Sequence, residues 1–118
     1  MRTTTLGLLV ALAALPAGCT RAQPYDQCGR DNPCGSDAPL CLANTSPRGV
    51  SALFCTMRCT TPAATSTACP GAGACVRLNN GDPVCMKRCN ADSECDFTNA
   101  ACLVLPESLG AKVCTVRP

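Results

Sequence analysis

The chain has 118 residues, thirteen of them cysteine and none histidine, and ten basic against eight acidic residues leave a formal charge of +2. Without histidine, Ser-His-Asp and Cys-His catalysis and most catalytic zinc sites are excluded, and no enzyme is expected. The near-balanced charge, with one Tyr, two Phe and no Trp, excludes the basic, aromatic-studded surface of a nucleic-acid binder.

Residues 1–18 read as an export signal. Arg2 gives the positive start, and 6–17 is an apolar run too short to cross a bilayer as a helix. The small residues Ala17 and Gly18 then precede Cys19. Leu15-Pro16-Ala17-Gly18-Cys19 resembles the lipobox of bacterial lipoproteins. In that family the cysteine thiol receives a diacylglycerol and the cysteine becomes the first mature residue. Ala17, Gly18 and Cys19 match; the leucine usual three places before the cysteine lies one place further out, leaving Pro16 there. The resemblance makes Cys19 the lipidation site and 19–27 a lipidated cysteine with a short polar tether. Pro24 keeps that tether out of a helix, and fully extended it spans at most about 25–30 Å. The rival is ordinary signal cleavage after Thr20-Arg21-Ala22, which discards Cys19 and releases a soluble chain beginning at Gln23. Either route delivers the cysteines to an oxidising compartment, where they pair.

The other twelve cysteines repeat. Cys28, Cys34, Cys41 and Cys55 form one unit, 28–55; Cys59, Cys69, Cys75 and Cys85 a second, 59–85; Cys89, Cys95, Cys102 and Cys114 a third, 89–114. Three residues separate adjacent units, and the period is about thirty residues. So few large apolar groups cannot build three independent cores. Disulfides must take over, each contributing about 2–4 kcal/mol.

The first half of each unit is turn-rich. Asp31 and Asp92 both stand three residues after a first cysteine, where a carboxylate can fix a turn by bonding backbone N–H groups two residues on. The middle unit lacks this Asp, and its Cys59–Cys69 interval is longer, reading as a loop with at most one helical turn. Each second half reads as a β-hairpin with an apolar residue just inside each cysteine. Its loops are 44–52, 79–82 and 106–111, and Asn80-Gly81 offers the positive φ of a tight turn. The fold class is therefore small and disulfide-rich, mostly β-hairpins and loops, with three tandem four-cysteine units in a short rod.

Chemistry is sparse. Cys-x2-Cys spacing is absent, and an exported chain would oxidise its cysteines, so no metal is expected. Asp92, Glu94 and Asp96 cluster, but calcium needs six to eight oxygens, and a solvated turn is the simpler reading. Two carboxylates could serve glycoside hydrolysis, yet no aromatic platform exists to hold a sugar. Arg58, Lys87 and Arg88 are basic spots at the unit joints, read as solvated linker charge. Arg48, in the longest hairpin loop, could enter the specificity pocket of a trypsin-like protease. Asn44-Thr45-Ser46 is a glycosylation sequon that a bacterial lipobox leaves without use.

Cys-x2-Asp-x2-Cys, then Cys-Leu, then Val-Cys-x3-Cys is similar to the Dickkopf-type and EGF-like cysteine-rich repeats of bacterial exported proteins, over about 28–118. Such modules are mostly interaction or structural units, and no binding residue carries over. The resemblance implies pairing of first with third and second with fourth cysteine, leaving the hairpin loops exposed. Nested pairing of first with fourth stays open, because connectivity is not deducible from spacing. The expectation is an exported lipoprotein of the outer membrane or cell surface, alternatively periplasmic or secreted. It would have a structural or protein-binding role toward a protein or cell-envelope partner, no cofactor, and membrane contact through the lipid alone. Arg48, Asn80 and Glu107 mark the candidate binding loops. A secreted inhibitor or effector presenting the Cys41–Cys55 loop is the alternative.

Overall fold

The computed structural model describes residues 21–79 and 81–118. The export signal expected over 1–18, the expected lipidation site Cys19, and Asn80 lie outside the described residues. Three antiparallel hairpins make the frame. They are β1 (Leu40–Thr45) with β2 (Ser51–Thr56), β3 (Ala74–Arg77) with β4 (Pro83–Met86), and β5 (Ala100–Val104) with β6 (Lys112–Val116). Helix among the described residues is limited to the short 3-10 turns Pro70–Ala72, Asp92–Glu94 and Pro106–Ser108. The small disulfide-rich hairpin fold expected from the cysteine spacing is the fold observed.

The same register recurs in every hairpin. Cys41 stands opposite Cys55, Cys75 opposite Cys85, and Cys102 opposite Cys114. Residues opposite one another share a face, and their neighbours take the other. One face therefore carries two cysteines, and the other carries the pairs Leu42/Phe54, Val76/Val84 and Leu103/Val113. On the cysteine face each strand receives a cysteine from the turn-rich half. The bonds are Cys28–Cys41 and Cys34–Cys55, Cys59–Cys75 and Cys69–Cys85, Cys89–Cys102 and Cys95–Cys114. Each unit is thus paired first with third and second with fourth, and the nested arrangement does not form.

The residue just before each unit forms an isolated bridge to that unit's second strand. Gln27 bridges Phe54, Arg58 bridges Val84, and Arg88 bridges Val113. The amides of Cys55, Cys85 and Cys114 donate to the carbonyls of Asp26, Met57 and Lys87, each at 2.9 Å. The residue before each first cysteine therefore covers the free edge of that unit's second strand, satisfying backbone groups the hairpin leaves open.

The apolar faces turn toward one another. Phe54, Val76, Met86 and Val113 are almost wholly buried, in one core with Ala52, Ala74, Phe97 and Val116. Phe54 of the first unit stacks on Phe97 of the third, with centroids 4.9 Å apart. Strands β2, β4 and β6 all touch one another, and β1 also reaches β6. A linear rod would bring together only neighbouring units; here the first and third meet directly. The composition supplies the reason: no unit carries enough apolar surface to bury by itself, so the three pool it.

Three local expectations are corrected. Residues 21–27 are docked rather than a free tether. Ala22 is buried; its amide donates to Pro33 O at 2.9 Å and its carbonyl accepts from Gly35 N at 3.2 Å. Tyr25 adopts φ 69° and lies against the disulfides of the second unit, its hydroxyl donating to Pro70 O at 2.7 Å. Gly73 makes this possible, since a Cβ there would stand 2.4 Å from the Tyr25 hydroxyl oxygen. Polar composition suggested a tether, and one apolar ring overturned it. The first hairpin loop shrinks from 44–52 to 46–50, because β1 and β2 continue pairing to Thr45 and Ser51. In the second loop the positive φ falls on Asn79, at 48°, and Gly81 does not adopt it; the turn closes by Gly81 N donating to Leu78 O at 2.8 Å.

Candidate functional site

The first and third hairpin loops are each closed by a buried serine. In the first, Ser46 is buried and folds the loop onto itself. Its amide donates to Val50 O at 2.7 Å, its hydroxyl accepts from Val50 N at 3.2 Å, and Gly49 N donates to its carbonyl at 2.9 Å. Gly49, at φ 81°, allows the reversal. Ser108 does the equivalent work in the third loop: its hydroxyl accepts from Leu105 N at 3.0 Å and donates within the loop, lying 2.7 Å from Ala111 O. Buried hydroxyls satisfying loop amides keep both tips in one shape.

These loops converge. Pro47 from the first, Leu78 and Asn79 from the second, and Leu105 and Glu107 at the third, together with Leu103 of β5, line one hollow of about 280 Å³. A second hollow of about 300 Å³ shares Asn44, Leu78 and Asn79 with it. Leu40 and Leu42 line its apolar side, and the exposed Arg58–Asp82 ion pair, 3.6 Å apart, lines its polar side. Both hollows thus present leucines beside amides and a few charges.

Of the expected loop residues, Glu107 lines the first hollow. Arg48 is exposed on the turn beside Pro47 but does not line it. Asn80 lies outside the described residues. Leu78, Leu103 and Leu105 were not singled out as site residues. For Leu78 and Leu105 the available signal was an apolar residue just past the last paired strand residue, whereas Leu103 lies within β5 opposite Val113.

The acidic cluster is structural. Asp92 Oδ1 accepts from Cys102 N at 2.8 Å, and Oδ2 faces Arg117 at 3.3 Å. Glu94 accepts from the amides of Asn90 and Ala91 at 2.6 and 2.7 Å, and Asp96 meets Lys87 Nζ at 3.2 Å. The Cys102 N–H holds the Asp92 carboxyl below the usual carboxylate range against an opposing effect of desolvation, and Arg117 adds to the lowering. Each carboxylate serves its own donor, so none of the three is turned toward a shared cation. The expectation that Asp92 bonds two residues on is also corrected: it reaches ten residues on and ties the turn to β5. Asp31 makes no such bond among the described residues.

Within each unit three cysteine sulfurs lie within 4.8 Å of one another, for example Cys59, Cys69 and Cys85. All are oxidised in disulfides, so this proximity reflects two adjacent bridges on one hairpin face rather than a thiolate cage. The phenol of Tyr25 is pushed up to about 12 by burial. Six disulfides mark a small cysteine-rich protein of an oxidising, extracytoplasmic compartment. No helix among the described residues is long and apolar enough to cross a membrane. Comparison with known proteins finds no matching family model, no matching curated protein and no matching solved structure, and the chain's own residues carry the reading of function.

Proposed function

We propose that the chain is an exported, lipid-anchored module with a protein-binding or structural role at the cell surface, attached through Cys19 and presenting its hairpin loops. The observation that carries the anchor is the position of Ala22. Cleavage after Ala22 would remove two backbone hydrogen bonds to the first unit and a buried side chain. Cleavage before Cys19 keeps both. The binding role rests on the hollow that gathers residues from all three loops, while the acidic cluster and the cysteines are committed to holding the fold. The inhibitor alternative asks Arg48 to enter a protease cleft on an extended segment. Arg48 instead sits in a turn closed by hydrogen bonds to Ser46.

Intact mass of the native protein from its host tests the anchor. The expected species begins at Cys19, carries acyl chains and holds six disulfides, and Cys19→Ser moves it to the soluble fraction. A wild-type protein that is soluble and begins at Gln23 overturns the reading. Crosslinking at the cell surface tests the binding role. Replacing Leu78 and Leu105 with Ser is expected to abolish the crosslinked species, whereas replacing Arg48 leaves it unchanged.

A further inference from the structure

The first strands of the three hairpins differ at their outer edges. In the first hairpin Cys55 turns its backbone groups away from β1. Its N–H donates to Asp26 O at 2.9 Å, and its carbonyl accepts from Tyr25 N at 2.7 Å. Cys41 stands opposite Cys55, so its own N–H and C=O face outward. The two-residue period turns those of Ala43 and Thr45 the same way. Among the described residues none of these N–H and C=O groups has a partner. Cys41, Ala43 and Thr45 are all exposed.

The matching positions of the other hairpins are covered. Cys75 exchanges both backbone bonds with Ala63, at 2.9 and 3.0 Å, and is wholly buried. In β5, Cys102 N donates to Asp92, and Ala100 O accepts from Arg117. Nothing in the residues of β1 guards its edge: Leu40–Thr45 has neither a charge nor a proline.

A row of outward N–H and C=O groups is completed by another extended backbone. The chain itself contains one that fits, β1 of a second copy. Its neutrality brings no like charges together, and an antiparallel two-fold arrangement is self-complementary. Centred on Ala43, such a pairing sets Ala43 opposite the same residue of the other copy. Cys41 of each copy then meets Thr45 of the other, and every outward group is used. Sliding by two residues in either direction brings Pro39 or Pro47, which have no N–H, into the ladder. Leu42 and Asn44 line the hollow of about 300 Å³ and are only half-buried. In this register Leu42 of one copy lies opposite Asn44 of the other, covering both.

We propose that β1 is a dimerisation edge, pairing antiparallel with β1 of a second copy about a two-fold axis at Ala43. One strand edge is a small interface, so the dimer is a weak and transient one. The pairing does not require the lipid anchor, although anchoring two copies at one surface would raise their effective concentration.

The test takes the disulfide-intact exported protein, in its soluble Cys19→Ser form, through sedimentation equilibrium from about 10 µM to about 1 mM, where small interfaces associate. A monomer–dimer equilibrium is expected. The amides of Cys41, Ala43 and Thr45 should shift and exchange more slowly as the dimer fills. A mixture of isotope-labelled and unlabelled protein should show an intermolecular Hα–Hα contact between Leu42 and Asn44, which this register makes a close, non-hydrogen-bonded pair. Ala43→Lys sets two ammonium groups on the axis and should weaken association by about ten-fold or more. Ala43→Pro removes an outward N–H and none that β2 uses, and should do the same. Val104→Lys places an equal charge at an exposed position of β5 and should change association by less than about two-fold. Unchanged amide positions for β3 to β6 in each variant show that the fold is kept. A protein that stays monomeric throughout overturns the proposal, and slow exchange at Ala43 in that monomer would assign the edge to another part of the chain. A dimer indifferent to both Ala43 substitutions overturns it as well, since the contact then lies elsewhere.

Discussion

The first and third units share nearly the same cysteine spacing, yet their turn-rich halves are held in different ways. In the third, Asp92 reaches Cys102 N, and Glu94 closes the turn onto Asn90 and Ala91. In the first, Asp31 stands in the same place with no such bond among the described residues. That half is fastened from outside instead: Ala22 pairs beside Cys34, and Asn32 Nδ2 donates to Gln27 O at 2.9 Å. Gln27 in turn accepts from Thr98 of the third unit at 2.8 Å. The disulfides and hairpin register are common to both, while the polar ties differ. Covalent frame and shared core set the fold, and the hydrogen bonds that trim each turn are interchangeable.

The strongest way to break this comparison is to remove one bridge from each unit. Cys34→Ser with Cys55→Ser, and Cys95→Ser with Cys114→Ser, should each cost about 2–5 kcal/mol. Because the core is common, amide exchange after either change should speed up in all three units together. Acceleration confined to the altered unit would disprove the shared core. The aromatic stack comes next. Phe54→Ala and Phe97→Ala should each cost about 3–5 kcal/mol in denaturant melts. The double mutant should lose less than their sum, because the rings are each other's partners. Additive losses would mean that the first and third units do not lean on one another.

Tyr25 reports on the entry to the first unit. It is the chain's one tyrosine, and there is no tryptophan, so phenolate absorbance is a clean readout. Its folded value is raised to about 12, so the neutral phenol is the form the fold favours. Its contribution to stability is complete below the unfolded value of about 10 and is lost as pH rises through about 12. The native protein should titrate near 12 and the reduced, denatured chain near 10. A native midpoint near 10 would mean that 21–27 is undocked.

The smallest effect separates Asp31 from Asp92. The Asp92 carboxyl is held low, so what it adds is present above the unfolded value of about 4 and fades as pH falls through its folded one. Asp92→Asn should speed exchange of the Cys102 amide modestly at neutral pH and remove its acid sensitivity. Asp31→Asn should leave the equivalent Cys41 amide unchanged, and a similar response at both would erase the contrast.

Much of the frame could be read from residue order. Cysteines flanking short apolar strands and turn residues specify hairpins, and a two-residue period puts Phe54, Val76 and Val113 on the face away from the bridges. What those faces meet could not be read, because alternation names the buried face and not its neighbour. Tyr25 was lost among polar residues, since its site exists only where Gly73 of another unit leaves space. The loop hollow escaped for a similar reason: Leu78 and Leu105 are unremarkable until three tips are brought together. Arg58 and Arg88 are equivalent in sequence, and only folding gives one an Asp82 and the other the hydroxyl of Thr65.

Duplication ordinarily lengthens a protein, because each stacked repeat leaves a face for the next. Phe54 lying on Phe97 removes that opportunity here. Part of the third unit's apolar surface is covered by the first. A chain ending after the second would leave Phe54 without its ring partner. Adding or deleting a copy would therefore have to keep or remake the contact between the first and third units.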